Sequence, residues 1–339
     1  MSTQGPLTTY LLSSTPDALI RATTHPFLSA AGHGTLTKTQ LSQWLSQDRL
    51  YAQSYIRFAG LLLSKIRPPR HSPTSATPEE KAISVLIDAL VNIRTELAFF
   101  EQVARDYDLD LTAISPEEGG CALNVRGSAS YIATSAGISS AGSGSCPGFT
   151  GGEEEAPRAE RGGSSMNPLA GDDPLAPKHS LCLAQVGWGW GKGKPGTRGL
   201  ESEVERSGTI FFCANRTTRA YIDMFMSAAS GGVSITEGLT VLWATEVCYL
   251  RSWRFAARCM REDGERDYKN DADGGALREK FIGNWSSVEF EEFVNRIGDV
   301  LDSMSEQIKG SEESELMRVR CLEWWRQIVW LEENFWPTV

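Results

Sequence analysis

The stretch LTKTQLSQWLSQDRLYAQSYIRFAGLLLSKI, from Leu36 to Ile66, decides the fold of this chain. Thr37 and Gln40 have the spacing of a capping box, which predicts that a helix begins here. Apolar residues then recur at positions 41, 44, 45, 51, 55, 58, 61 and 62, which is the spacing of one helical face. The stretch therefore predicts a long amphipathic helix that packs against other helices.

The same signals recur through an N-terminal block, from about residue 14 to 112. The segment STPDALIRATTHPFLSAAGHG has Thr15 and Pro16 at its start and ends in glycines, which predicts one helix. Thr77, Pro78 and Glu80 open another helix with the spacing of a capping box.

A second helical block runs from about residue 211 to 339. Two capping boxes are predicted in it, one from Ser234 to Glu237 and one from Ser286 to Glu289. Neither block has a strand pattern. We therefore expect an all-α fold of seven to eight helices, in which residues 1–112 and 211–339 form one discontinuous domain.

Residues 113–210 differ in composition from both blocks. They hold 19 of the 32 glycines, with many Ser, Ala and Pro and no sustained period. Such a segment cannot bury enough apolar surface to offset the entropy of ordering, so we expect a disordered insertion. One form of this hypothesis is that part of the segment is translated intron-like sequence.

The insertion contains GWGWGKGKPG, from Gly187 to Gly196, which suggests a phosphate-binding loop. A P-loop needs GxxxxGK followed by Ser or Thr, between a strand and a helix. Neither Lys192 nor Lys194 is followed by Ser or Thr, and no strand precedes the loop. We therefore expect no phosphate site here.

Charge and composition argue against several classes of partner and site. The net charge of −10 argues against nucleic acid or an anionic membrane as a partner. No signal peptide and no run of 18 apolar residues is present, so a cytoplasmic location is expected. The seven Cys form no CxxC pair and the four His show no ligand spacing, so we expect neither disulfides nor a metal site.

Two polar patterns stand out within the helical blocks. Asp48, Tyr51 and Tyr55 share one helical stripe, which coincides with the apolar stripe, so Asp48 is expected to be buried. A buried carboxylate needs a partner, which is either an Arg or a tyrosine hydroxyl of the protein, or an amino-bearing ligand. In WATEVCYLRSW, Thr245 and Tyr249 lie four residues apart.

Three further residues belong to these patterns. Glu246 lies three residues before Tyr249, and Cys248 is expected to be a small buried apolar residue rather than a nucleophile. Glu332 precedes Phe335 and Trp336 in the C-terminal segment WLEENFW.

Seven stretches together resemble the TenA/thiaminase-II family, and the chain resembles a fungal-type member with an atypical low-complexity insertion. They are HPF (25–27), GTL (34–36), QDRLYAQSY (47–55), TRAY (218–221), TEVCY (245–249), FIGNWSSVEFEEFV (281–294) and LEENFW (331–336). The resemblance implies a heme-oxygenase-like helical bundle with a pocket for an aminopyrimidine, without a cofactor. It also suggests a homo-oligomer.

The resemblance assigns roles to particular residues. Asp48 would hold the amino group and ring nitrogen of the pyrimidine, and Tyr51 would line the pocket. Tyr249 and Trp285 match further pocket positions, and Glu332 matches the family's proton donor and acceptor.

The family's nucleophilic cysteine falls on Thr245. A threonine without an adjacent base is a poor nucleophile, so thiamin cleavage by covalent attack is not expected. Hydrolysis of aminopyrimidine breakdown products remains open, with Glu246 and Glu332 as an acid–base pair of which one member needs a raised pKa.

Two alternatives use the same scaffold. One is a non-catalytic pyrimidine- or thiamin-binding protein, which the missing cysteine favours. The other is a haem-handling relative, for which His25 would be the only candidate ligand on the first predicted helix.

Overall fold

A computed structural model describes residues 5–68, 77–114, 121–122, 210–264 and 267–339. Helices dominate these residues, as the periodicity predicts. In the described part of the chain they are α1 (Leu7–Ser14), α2 (Pro16–Thr23), α3 (Pro26–Gly32), α4 (Lys38–Lys65), α5 (Pro78–Tyr107), α6 (Arg216–Ala228), α7 (Ile235–Glu262), α8 (Ile282–Trp285), α9 (Val288–Glu306) and α10 (Ser311–Phe335). A 3₁₀ turn at Tyr268–Asn270 and a π-helical turn at Leu277–Phe281 precede α8.

The first predicted helix is in fact two helices. The chain breaks at Thr24 and His25 because Pro26 has no backbone N–H to continue the first one. The His25 ring caps the second helix, with Nδ1 accepting a hydrogen bond from the Phe27 backbone N–H at 3.2 Å. The sequence prediction also missed α1, whose Leu7 and Leu11 are buried in the core.

Two of the predicted capping boxes are confirmed. Thr37 and Gln40 exchange both bonds at the start of α4, and Ser234 and Glu237 do so at the start of α7. At α5, the Thr77 hydroxyl accepts from the Glu80 backbone N–H, as predicted.

The capping box predicted for Ser286 and Glu289 is wrong. Ser287 is the cap of α9, and its hydroxyl accepts from the Phe290 backbone N–H at 3.1 Å. Ser287 has the extended backbone that a cap needs, whereas the Ser286 hydroxyl donates back to the Ile282 carbonyl at 2.7 Å.

Helix α7 lies at the centre of the bundle. Eighteen of its residues are buried, and it packs against α3, α9 and α10. Helices α4 and α5 pack against each other beside it. Most of the predicted apolar face of α4 is buried, but Leu61 is 42% exposed and Tyr51 is half-buried.

One short strand pair accompanies the helices. Strand β1 (Cys121–Ala122) pairs antiparallel with β2 (Ile210–Phe211), so the two segments meet at the ends of the predicted insertion. Residues 1–124 and 208–339 group as one compact unit. The interior of the predicted insertion, including Gly187–Gly196, lies outside the described residues.

None of the helices in the described ranges combines the length and the apolar character that crossing a membrane requires.

Candidate functional site

A cavity of about 260 Å³ lies between α4, α5, α7 and the residues where α8 meets α9. Its aromatic lining includes Tyr51 and Tyr55 of α4, Tyr249 of α7, Trp285 of α8 and Phe290 of α9. Aromatic side chains from four helices can therefore hold a flat ring by stacking and edge contacts.

Four polar residues of the lining are exposed and mark the mouth of the cavity. They are Asn92 and Thr95 of α5, Asn284 of α8 and Glu289 of α9. A small molecule can therefore enter from solvent between α5 and the start of α9.

Three carboxylates reach the cavity below this rim, each from a different helix. They are Asp48 of α4, Glu96 of α5 and Glu246 of α7. No Lys, Arg or His is found among the lining residues of the described chain. The cavity is therefore acidic without a basic side chain to compensate it, which favours a ligand with N–H donors or a positive charge.

Each of these carboxylates accepts a hydrogen bond from an aromatic side chain. The pairs are Tyr249 Oη to Asp48 Oδ2 at 3.3 Å, Tyr55 Oη to Glu246 Oε1 at 2.5 Å, and Trp285 Nε1 to Glu96 Oε1. The tyrosine partner foreseen for Asp48 is thus present. These neutral donors orient the carboxylates without cancelling their charge.

Burial raises the pKa of all three carboxylates. It raises the pKa of Glu246 to about 7, against the bond from Tyr55 and with the nearby charge of Glu96. It also raises the pKa of Glu96 to about 7, against the bonds from Trp285 and Asn284. The pKa of Asp48 lies well above its ordinary value for the same reason, with Glu96 adding to the effect.

Glu332 of α10 lies behind the cavity wall. It is 4% exposed, accepts a hydrogen bond from Tyr221 and is not among the lining residues. Tyr51 lines the cavity and packs edge-on against Tyr221, with ring centroids 5.0 Å apart. Burial raises the pKa of Glu332 to about 8, against the Tyr221 bond and with a contribution from Glu246.

Neither Thr245 nor Cys248 offers a nucleophile to the cavity. Thr245 is 1% exposed, lies outside the cavity lining and donates its hydroxyl to the Leu242 carbonyl at 3.0 Å. Cys248 is fully buried in the core, and burial raises the pKa of its thiol well above the usual range. Neither side chain can attack a ligand in the cavity.

The structure brings most of the residues singled out in the sequence to this cavity. Those that line it are Asp48, Tyr51, Tyr55, Glu246, Tyr249 and Trp285. Glu332 and Thr245 lie in the layer behind it. Sequence reasoning missed Glu96, although Glu96 interrupts an apolar stripe between Ile93 and Phe100, which is the signal that drew attention to Asp48.

Among the described residues, no group of three or more His, Cys, Asp or Glu side chains is arranged to hold a metal ion. The ring of His25 caps α3, and burial lowers its pKa.

Known protein families and solved structures include proteins similar to this chain. Residues 16–117 match the TENA/THI-4/PQQC family. A TenA homologue from Pyrococcus furiosus superposes with a TM-score of 0.54 at 18% identity, covering 97% of this chain and 98% of that one. A TenA homologue from Pseudomonas syringae pv. tomato gives a TM-score of 0.52 at 8% identity, covering 99% and 98%. These likenesses show the heme-oxygenase-like helical fold predicted from the sequence.

Two curated relatives are similar in sequence. A probable transcription factor from Fusarium pseudograminearum is 21% identical over 98% of this chain and 51% of its own length. A probable bifunctional TENA-E protein from Glycine max is 24% identical over 29% of this chain and 39% of its own length. The chain thus spans about half the length, or less, of the curated relatives it matches.

Proposed function

Residues 16–117 of this chain match the TENA/THI-4/PQQC family, and from that premise we propose that the protein hydrolyses a thiamin-related aminopyrimidine in its acidic cavity. One observation carries the proposal. Three carboxylates and an aromatic wall surround a space of about 260 Å³, and no lining residue of the described chain is basic. A flat ring that carries amino groups matches both the shape and the charge of this space.

Binding is assigned to the aromatic residues and to Asp48. The buried carboxylate of Asp48 accepts hydrogen bonds from the amino group and the ring nitrogen of the pyrimidine. Tyr51, Tyr55, Tyr249 and Trp285 contact the ring. Thr245 has a supporting place in the proposal, since its side chain lowers the pKa of the Tyr51 hydroxyl, against the larger effect of burial.

Hydrolysis is assigned to Glu246 and Glu332. Glu246 takes a proton from a water molecule, whose oxygen attacks the carbon that carries the leaving group, and returns the proton to the departing ammonia. With a formylated amine, the same steps would release formate. A pKa of about 7 suits Glu246 to both tasks near neutral pH. Glu332, with a pKa of about 8 behind Tyr51, is the second proton carrier of the proposal.

The first experiment offers formylaminopyrimidine, aminopyrimidine and thiamin separately to the purified protein. We expect formate or ammonia from the pyrimidines and no free thiazole from thiamin, because Thr245 cannot replace the cysteine nucleophile. Release of thiazole would contradict the proposed chemistry.

A second candidate function is binding without turnover, on the same residues. Two observations favour it: Thr245 stands at the nucleophile's position, and Glu332 does not reach the cavity. The Fusarium relative is named a probable transcription factor, and a domain that binds a small molecule without turnover would suit a protein of that kind. Ligand-induced thermal stabilisation without any product would support this candidate against the hydrolase.

The other sequence-based expectations remain part of the proposal. They are a cytoplasmic location, the absence of a cofactor, assembly as a homo-oligomer, and a small molecule rather than nucleic acid or a membrane as the partner.

A further inference from the structure

We propose that Glu96 is a specificity-determining residue of the cavity, which selects ligands that carry a protonated amino substituent besides the aminopyrimidine edge held by Asp48. The inference rests on the proposed function, because it assumes that an aminopyrimidine occupies the cavity. It adds a residue and a charge requirement that the seven stretches resembling the family do not contain.

The charge of Glu96 acts on the other titratable groups of the cavity. Its side chain lines the same cavity as Asp48 and Glu246, from the third helix, α5. The charge of Glu96 raises the pKa of Asp48, of Glu246 and of Tyr249. A positive group beside Glu96 would therefore relieve repulsion throughout the cavity.

Glu96 is held in one orientation by neutral donors. Trp285 Nε1 donates to Oε1, and Asn284 Nδ2 donates to Oε2 at 3.5 Å. Trp285 is itself fixed by packing, with ring centroids 4.7 Å from Phe281 and 4.4 Å from Trp253. The carboxylate is thus positioned in advance but receives no positive partner from the lining residues of the described chain.

The other two carboxylates below the rim have assigned tasks, which leaves Glu96 for recognition there. Asp48 anchors the pyrimidine edge, and Glu246 moves protons. Glu96 lies next to Asn284, which is exposed at the mouth. A substituent that projects from the ring towards the mouth would meet this carboxylate. An ammonium group there would form a hydrogen-bonded ion pair with the carboxylate, whereas a hydroxyl group, which carries no charge, would form a weaker hydrogen bond.

A purely structural role is the competing explanation. Glu96 could serve only to accept the hydrogen bond of the buried Trp285 indole. Glu96→Gln separates the two roles, because the glutamine carbonyl can accept the same bond while the negative charge is lost. Glu101→Gln is the matched control, since Glu101 is an exposed carboxylate on the same helix and does not line the cavity.

The test is calorimetric titration at pH 7.5 with two pyrimidines that differ in one group, an aminomethyl or a hydroxymethyl substituent. In E96Q we expect the affinity for the aminomethyl ligand to fall about 10-fold or more, which corresponds to one charge-assisted contact. The hydroxymethyl ligand should change by no more than about twofold, and E101Q should leave both affinities unchanged.

Several outcomes would overturn the inference. Equal losses for both ligands in E96Q, or no loss for either, would assign Glu96 a structural role and leave the proposed function standing. The wild-type protein supplies a test that needs no variant, because equal affinity for both ligands would also refute the inference. If the wild type binds neither pyrimidine, the proposed function fails and the inference fails with it.

Discussion

At the scale of single residues, the site consists of carboxyl groups paired with aromatic donors. Asp48, Glu246 and Glu96 follow this pattern at the cavity, and Glu332 follows it with Tyr221 one layer deeper. An aromatic O–H or N–H satisfies one carboxyl oxygen but does not balance its charge. The carboxyl groups are therefore oriented, and their pKa values stay raised.

Replacing the proposed general base tests the assignment of Glu246. In Glu246→Gln we expect hydrolysis of the aminopyrimidine to fall roughly 100- to 10,000-fold, the usual contribution of a positioned acid–base group. Binding should persist, because the glutamine can still accept the hydrogen bond from Tyr55. Ammonia release and calorimetric affinity would be measured on the same preparation. Glu262→Gln, at the exposed end of the same helix, is the control and should retain full activity.

Glu332 should make the stability of the protein depend on pH. Its folded pKa of about 8 exceeds its ordinary value of 4.5, so the folded state holds this proton more tightly than the unfolded state. The stabilisation is present below about pH 4.5 and is lost as the pH rises through about 8. In Glu332→Gln, the side chain stays neutral at every pH. The urea concentration at the midpoint of unfolding should therefore fall less between pH 5 and pH 8.5 in this variant than in the wild type.

Urea titrations at several pH values would measure that difference. The control is Glu323→Gln, an exposed carboxyl on the same helix, which should keep the wild-type profile. Identical profiles for E332Q and the wild type would show that Glu332 does not carry the proton.

At the scale of the element, sequence patterns correctly predicted the features of a helix that depend only on residues close together in the chain. The capping boxes of α4 and α7 and the apolar stripe of α4 are set within a few residues, and the structure confirms them. The break before Pro26 was missed although it follows from a local rule, because a proline cannot continue a helix. The cap at Ser287 was missed because two adjacent serines could both cap α9. Glu96 was also missed, because a charged residue within an apolar stripe can be assigned to a site only when the residues of the opposing helices are known.

The cap of α9 can be tested with two neighbouring serines. Ser287→Ala should lower the free energy of unfolding by about 1 kcal/mol, because the Phe290 backbone N–H loses its acceptor. Ser286→Ala should cost less, since its hydroxyl only donates to a carbonyl within the preceding turn. Denaturant titration of both variants gives the comparison. A larger loss in S286A would restore the cap predicted from the sequence.

At the scale of the whole molecule, residues far apart in sequence form one site. Asp48 and Glu96 come before the predicted insertion, and Glu246 and Trp285 come after it. The sequence patterns and the resemblance to a family pointed to eight candidate residues, and six of them line the cavity. The sequence could not predict which of them face the cavity. Other side chains separate Thr245 and Glu332 from the cavity, and this packing depends on contacts between helices that are far apart in the sequence.

The compact unit of residues 1–124 and 208–339 should fold without the residues between. Strands β1 and β2 pair directly, and neighbouring strands lie about 5 Å apart, so a short linker can join them. We expect a variant with residues 125–207 replaced by about four Gly and Ser residues, a common hairpin connection length, to keep the wild-type aminopyrimidine affinity and one cooperative unfolding transition. Loss of either property would show that the helical unit needs the replaced residues.

The pairing of carboxyl groups with neutral donors has a consequence for the exchange of ligand with the surroundings. Before a ligand binds, bound protons neutralise part of the negative charge of Glu96 and Glu246, since the pKa of each carboxyl group is about 7. A cationic ligand lowers these pKa values and so expels protons into the medium. The heat of binding should then vary with the ionisation enthalpy of the buffer. Ligand and protons would compete for the same cavity, so that acidification releases what neutral conditions retain.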